Sequence, residues 1–289
     1  MQLLTVAIIQ ARMSSSRLPG KVLLDIGGLP MLGRVVDRAR RAKRVDQVVV
    51  ATTIDPADDE VAKFCSQQGY AYYRGSQQDV LDRFYQTALA YHASVIVRLT
   101  ADCPIIDPDV IDETVSAFLG FRKNLLSEDP SSVTGNSGLT RREGKSTINS
   151  NQSEIPYDFA TNRLPPPWHR TYPIGLDVEV CTFKALERAW READQPHQRE
   201  HVMPYLYEQE GRFKVLVVNH EPDYGNLRWT VDTPDDLELI RQIYDRFNGR
   251  DDFTFLEVLS LFEREPELSN INSQVRHKDY REAERTENA

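Results

Sequence analysis

The sequence predicts an α/β fold: a mostly parallel, mixed sheet with helices on both faces. Three observations predict it. Apolar, β-branched runs alternate four times with helical repeats across the first 118 residues, joined by short connections. That is the pattern of parallel strands linked by crossover helices. The first run, Leu3-Leu4-Thr5-Val6-Ala7-Ile8-Ile9, is apolar without a break, as a buried strand is. Cationic and acidic residues gather just after such runs, at the strand ends where parallel sheets bind ligands.

The elements follow in order. The first strand runs into a polar loop, and Gly27-Gly28 breaks the chain. Residues 30–42 place Met31, Leu32, Val35, Val36 and Ala39 on one helical face, with Pro30 suited to the first turn. Arg34, Arg38, Arg40 and Arg41 read as its solvated side. Residues 47–52 form the second strand and 58–68 a helix with Val61, Phe64 and Cys65 inward. A short strand spans 70–73, and a helix spans 79–92 with Val80, Leu81, Phe84, Ala88 and Leu89 as its buried stripe. A strand at 94–100 and a helix at 108–118 complete the alternation. The pattern then lapses. Residues 127–151 are rich in Ser, Asn, Gly and Thr, with too little apolar surface to order alone. Order resumes at Tyr172. Helices are expected at 182–193, 196–208, 234–247 and 254–262, and strands at 213–218 and 228–231. The organisation is therefore one domain over 1–262, a flexible insertion at about 120–167, and a charged, mobile tail over 263–289.

Bulk properties narrow the function. A net charge of −9 argues against a general nucleic-acid binder, whose affinity would rest on a basic surface. Cys65, Cys103 and Cys181 fit neither a zinc site nor a disulfide framework, which points to a reducing, cytoplasmic setting. The first apolar run is short and lacks a basic leader, unlike a signal peptide. No segment approaches the roughly 20 apolar residues of a membrane span.

Chemistry concentrates in Gln10-Ala11-Arg12-Met13-Ser14-Ser15-Ser16-Arg17-Leu18-Pro19-Gly20-Lys21. Arg12 and Arg17 supply rigid forks of donors, Lys21 a mobile charge, Ser14, Ser15 and Ser16 short donors, and Pro19-Gly20 a turn. Such a cup suits a polyphosphate. It is neither a Walker A loop nor a dinucleotide fingerprint, because the glycines those motifs need are absent. A solvated basic loop is the plain alternative.

Asp102 in Thr100-Ala101-Asp102-Cys103-Pro104 and Asp232 in Trp229-Thr230-Val231-Asp232-Thr233-Pro234 both stand at strand ends. Two carboxylates facing a polyphosphate loop make a Mg²⁺ site, since this ion takes one or two carboxylates plus substrate phosphates. Singly, each also reads as a turn or helix-cap residue. Asp177 and Glu179 have strand spacing and share a face, which is costly unless a cation or polar ligand meets them. His197-Gln198-Arg199-Glu200-His201 spells a zinc-peptidase pattern. Pro196 puts His197 at a helix start and no third ligand is evident, so a surface helix start is the competing reading.

These segments together resemble the sugar-acid cytidylyltransferases, which make CMP-activated KDO and sialic acids, and above all their spore coat polysaccharide branch. The resemblance spans most of 4–119 and 172–247 and carries Arg-x-x-Ser-x-Arg-x-Pro-Gly-Lys, Ala51-Thr52-Thr53, Arg74-Gly75-Ser76 with Asp79-Val80-Leu81-Asp82-Arg83, Ala101-Asp102-Cys103-Pro104, Gly175-Leu176-Asp177-Val178-Glu179-Val180, Arg199-Glu200-His201-Val202 and Val231-Asp232-Thr233-Pro234-Asp235-Asp236-Leu237. It departs from the family at Ala101, where glycine is common, and in a longer spacing before Asp82.

The resemblance implies the nucleotide-diphospho-sugar transferase (GT-A-like) fold and transfer from CTP to a sugar-acid-like acceptor, with release of pyrophosphate. It assigns Gln10, Ala11, Arg12, Ser14, Ser15, Ser16, Arg17, Lys21, Thr53 and Arg83 to the nucleotide, and Arg12, Lys21 and Asp102 to catalysis. Asp102 and Asp232 would hold Mg²⁺, and Asp177, Glu179, Arg199, Glu200 and His201 the acceptor. A homodimer is expected from the same source. Two other classes stay open: a glycosyltransferase using a nucleotide-sugar donor, and a non-catalytic nucleotide-binding protein.

Overall fold

The computed structural model describes residues 3–120, 155–165 and 169–276. In chain order the elements are β1 (Thr5–Gln10), a 3-10 turn (Lys21–Leu23), the hairpin β2 (Asp25–Ile26) and β3 (Leu29–Pro30), and α1 (Met31–Ala39). Then come β4 (Gln47–Thr53), α2 (Asp59–Gln68), β5 (Ala71–Gly75), α3 (Val80–Ala90), β6 (Val95–Thr100) and α4 (Pro108–Phe118). The second half holds β7 (Phe159–Thr161), β8 (Glu179–Thr182), α5 (Phe183–Glu192), α6 (Pro196–His201), α7 (Pro204–Tyr207), β9 (Val215–Val217), α8 (Pro234–Arg246) and α9 (Phe255–Arg264).

Among the described residues, seven strands form one sheet in the order β5-β4-β1-β6-β8-β7-β9. The first four are parallel, and β8 alone runs against its neighbours β6 and β7. The mostly parallel mixed sheet expected from sequence is thus observed. In β1, Ala7 and Ile9 face one core with α1, α2, α4, α8 and α9. Val6 and Ile8 face a second core with α3, α5 and α7. Each fully buried aliphatic side chain contributes roughly 1.5–3 kcal/mol, so this two-sided burial is the main stabilising term.

Several expectations are corrected. Arg34 and Arg38 are buried rather than solvated, because their guanidinium groups meet loop carbonyls. Arg38 donates to the oxygens of Ile106 at 2.7 Å, Asp251 at 2.9 Å and Phe253 at 2.8 Å. Leu89 is 48% exposed, off the inward stripe of α3. The helix expected over 196–208 is two helices, since Val202 adopts φ 71° and Pro204 starts a new first turn. Residues 228–231 form no strand among the described residues; Arg228 makes an isolated bridge with Ile174. The stretch expected to be structureless at 120–167 contributes β7 within its described part, paired to β8 and β9; residues 121–154 lie outside the described residues. The expected mobile tail begins with ordered chain: Leu268 is buried and Asn272 Nδ2 donates to Asp236 at 2.9 Å. Its last part, 277–289, lies outside the described residues.

Candidate active site

β1 and β6 are adjacent, with Gln10 opposite Thr100. The segment leaving β1 and the one leaving β6 therefore emerge side by side at the carboxyl edge of the sheet. The first becomes the loop 11–20 and the second carries Asp102. The loop is pinned at two points. Met13 N–H donates to Asp58 Oδ1 at 2.6 Å, and Gly20, at φ 72°, donates its N–H to the Met13 carbonyl at 2.9 Å. A positive φ at that turn suits glycine.

Asp232 reaches the same edge by docking. Val231 N–H donates to the Asp102 carbonyl at 2.8 Å, and Thr230 Oγ1 to the same oxygen at 3.1 Å. Gly175, at φ 111°, makes this approach possible: a Cβ there would lie 2.6 Å from the Trp229 carbonyl carbon. Asp236 then fixes the acid. This fully buried carboxylate accepts the N–H groups of Asp232 and Thr233, each at 3.0 Å, and the Arg228 Nε–H at 2.9 Å. Thr233 and Asp236 also close a capping box on α8.

The result is a cavity of about 340 Å³ lined by Gln10, Ala11, Arg12, Ser14, Ser15, Ser16, Arg17, Lys21, Arg83, Asp102, Glu200, His201 and Asp232, together with Val22, Val80, Thr100 and Ala101. At its floor the Lys21 ammonium donates to Asp102 Oδ2 and Asp232 Oδ1, both at 2.9 Å, and to the Val231 carbonyl at 2.7 Å. The other Asp232 oxygen takes Arg17 at 2.9 Å and Arg228 at 2.8 Å. Burial pushes the Asp232 carboxyl up, but Lys21 first, then Arg228 and Arg17, outweigh it and hold it at about 2. Burial likewise works against the Lys21 ammonium, and Asp102 and Asp232 reverse this to raise its pKa. Burial, then Arg98 and Arg163, hold His201 down at about 4, so its imidazole is neutral at pH 7. Burial and then the nearby Arg12 hold Arg83 down at about 10. Gln10 Oε1 and Arg83 Nε are buried and find no hydrogen-bond partner among the described residues. Both residues line the cavity, so these two unpaired atoms lie in its wall.

Asp102 and Asp232 are hard oxygen ligands with a cation already between them in Lys21, which fits a divalent ion such as Mg²⁺. Among the described residues no group of three or more His, Cys, Asp or Glu could hold a metal. The remaining ligands would therefore be substrate phosphates and water, as is usual for this ion.

Four expected site residues lie outside the cavity wall. Thr53 is buried, and its hydroxyl donates to Asp58, the residue that pins the loop. Arg199 is held by Asp79, the cap of α3, and by the Trp190 carbonyl at 2.6 Å. Asp177 and Glu179 do meet cations, but these are arginines of the protein: Arg170 pairs with Asp177, Arg98 with Glu179, and Arg163 lies 3.9 Å from each acid. The peptidase pattern dissolves, since His197 bonds Glu208 at 2.8 Å while His201 lines the cavity. Asp58, Arg228 and Asp236 were not singled out from sequence. Only Asp236 had a signal, its place three residues after Thr233 in a capping-box spacing.

Known proteins resemble this chain over most of its length. A cytidylyltransferase family model matches residues 6–264. An uncharacterized protein of Methanocaldococcus jannaschii is 34% identical over 96% of this chain and 98% of its own length. The spore coat polysaccharide biosynthesis protein SpsF of Bacillus subtilis is 31% identical over 91% of this chain and 95% of its own. A 3-deoxy-manno-octulosonate cytidylyltransferase of Anaeromyxobacter sp. is 30% identical over 82% of this chain and 96% of its own. The solved structure of a cytidylyltransferase from Leptospira borgpetersenii superposes with a TM-score of 0.77 at 30% identity, covering 96% of this chain and all of that one. The chain belongs to the cytidylyltransferase family and is a nucleotidyltransferase.

Proposed function

We propose that this enzyme transfers a cytidylyl group from CTP to a hydroxyl of a sugar acid or related acceptor, for surface polysaccharide or glycoconjugate synthesis. The observation that carries this reading is the cavity in which Arg12, Arg17 and Lys21 stand against Asp102 and Asp232. The acceptor hydroxyl gives up its proton to water as its oxygen bonds to the α-phosphorus, the bond from that phosphorus to the bridging oxygen breaks, and pyrophosphate leaves. Arg12, Arg17, Lys21 and the loop serines bind the triphosphate and stabilise the charge that grows on the leaving group. A Mg²⁺ ion held by Asp102 and Asp232 would neutralise phosphoryl charge when bound. Gln10 and Arg83, which line the same cavity, contact the nucleotide. Glu200 and the neutral His201 orient the acceptor, and Asp177 and Glu179 act behind them by fixing the arginines of the acceptor side. The sugar-acid class is supported by the relative named for 3-deoxy-manno-octulosonate.

Incubation with CTP, Mg²⁺ and a panel of sugar acids, scored for pyrophosphate and for a CMP-linked product, tests the proposal. Pyrophosphate release that depends on one acceptor is the expected outcome. Nucleotide release from a nucleotide sugar would indicate a glycosyltransferase instead, and CTP binding without turnover across the panel a non-catalytic binder. A homodimer is carried as part of the same reading, to be checked by sedimentation.

A further inference from the structure

Lys21 has a task before any substrate arrives. Its ammonium lies 2.9 Å from one oxygen of Asp102 and 2.9 Å from one oxygen of Asp232, and it is largely shut off from solvent. The second Asp232 oxygen is taken by Arg17 and Arg228. Asp232 therefore has both oxygens engaged by protein cations, and the pair of acids is bridged by one of them. A divalent cation approaching this pair alone meets an ammonium at the position between the carboxylates, and like charges at such distances repel strongly. Arg17 lies in the loop 11–20 and Lys21 opens the 3-10 turn that follows it, and both line the cavity beside the serines. Neither is bonded to Asp236. Arg228 also donates to Asp236 at 2.9 and 3.0 Å, which ties it to the backbone support of the site.

We propose that Lys21 is an internal counter-ion that keeps the acid pair closed to metal until a nucleoside triphosphate draws the ammonium, and Arg17 with it, onto its phosphates. Asp102 and Asp232 then accept a divalent cation in place of the lysine. Without the ligand, Lys21 also spares the two carboxylates their mutual repulsion. Triphosphate and metal consequently bind with positive coupling, each raising the affinity of the other by the same factor. The inference rests on the assignment of this cavity to a nucleoside triphosphate.

Equilibrium titration with Mn²⁺, read by its paramagnetic resonance signal, tests it on the full chain without any turnover. In the wild-type protein Mn²⁺ alone should bind weakly, and saturating CTP should tighten it by about tenfold or more. Lys21→Met should bind Mn²⁺ alone about tenfold more tightly than wild type and lose most of the coupling to CTP. Arg17→Met, which removes a more exposed partner of the same acid, should shift Mn²⁺ affinity the same way by less, and it serves where Lys21→Met fails to fold. Unchanged Mn²⁺ affinity in both variants, with CTP binding intact in the wild type, would overturn the latch and leave the proposed function standing. Absence of CTP binding in the wild type would overturn both.

Discussion

At the scale of single residues, the site works by pairing. Asp102 has one oxygen on Lys21 and a side chain 27% exposed, so it can exchange partners at small structural cost. Asp102→Asn keeps the shape and removes the charge. Turnover should fall about 10²–10³-fold while the thermal midpoint stays within a few degrees, measured by steady-state pyrophosphate release and by calorimetry. His201 sets a pH dependence. In the unfolded chain it takes up a proton near 6.5, and in the folded protein only near 4. Its contribution to stability is therefore complete above pH 6.5 and is lost as pH falls toward 4, by up to about 3 kcal/mol. Asp232 adds a lower window of the same sign, between 3.8 and about 2. Denaturant unfolding across pH 4–7 should show the first loss in the wild type, and a flatter profile in His201→Gln.

Among the elements, the segment 228–236 decides whether the acids meet. Its strand reading failed because only one bridge ties it to a neighbour, and that bridge depends on Gly175. Gly175→Ala would place a Cβ 2.6 Å from backbone at a positive φ, so it should cost about 3 kcal/mol or more and lower activity at temperatures where the protein is still folded. Asp236→Ala removes the carboxylate half of the α8 capping box and the Arg228 partner within it, costing about 3–5 kcal/mol in denaturant unfolding. Local periodicity reads elements well when burial is one-sided and regular, as in α4, whose observed bounds match 108–118. It cannot read Arg199 against Asp79, 120 positions away, or the three carbonyls that bury Arg38. In both cases the partner comes from a distant stretch, and a charged residue with a hidden partner looks like a surface residue.

Over the whole molecule, the sheet order explains why the site was legible. Parallel strands put every carboxyl end on one edge, so residues following β1 and β6 had to be neighbours once those strands paired. The strand pattern put the loop, Asp102 and Asp232 at strand ends, where they read equally as a solvated loop, a turn residue and a helix cap, and the resemblance assigned their roles. That Asp232 meets Asp102 depends on docking to the Asp102 backbone, which no local pattern carries. Thr53, Asp177, Glu179 and Arg199, which the resemblance assigns to ligands, lie outside the cavity wall and pair with other residues of the protein. Among the described residues no helix is long and apolar enough to cross a membrane.

The most direct test of the central claim is equilibrium titration of CTP into the wild-type protein and into Arg12→Ala and Lys21→Met, with Mg²⁺ present and no acceptor. Saturable binding in the wild type, weakened at least about tenfold in each variant, is the result this account predicts. No binding in the wild type, or equal affinity in all three, would contradict it.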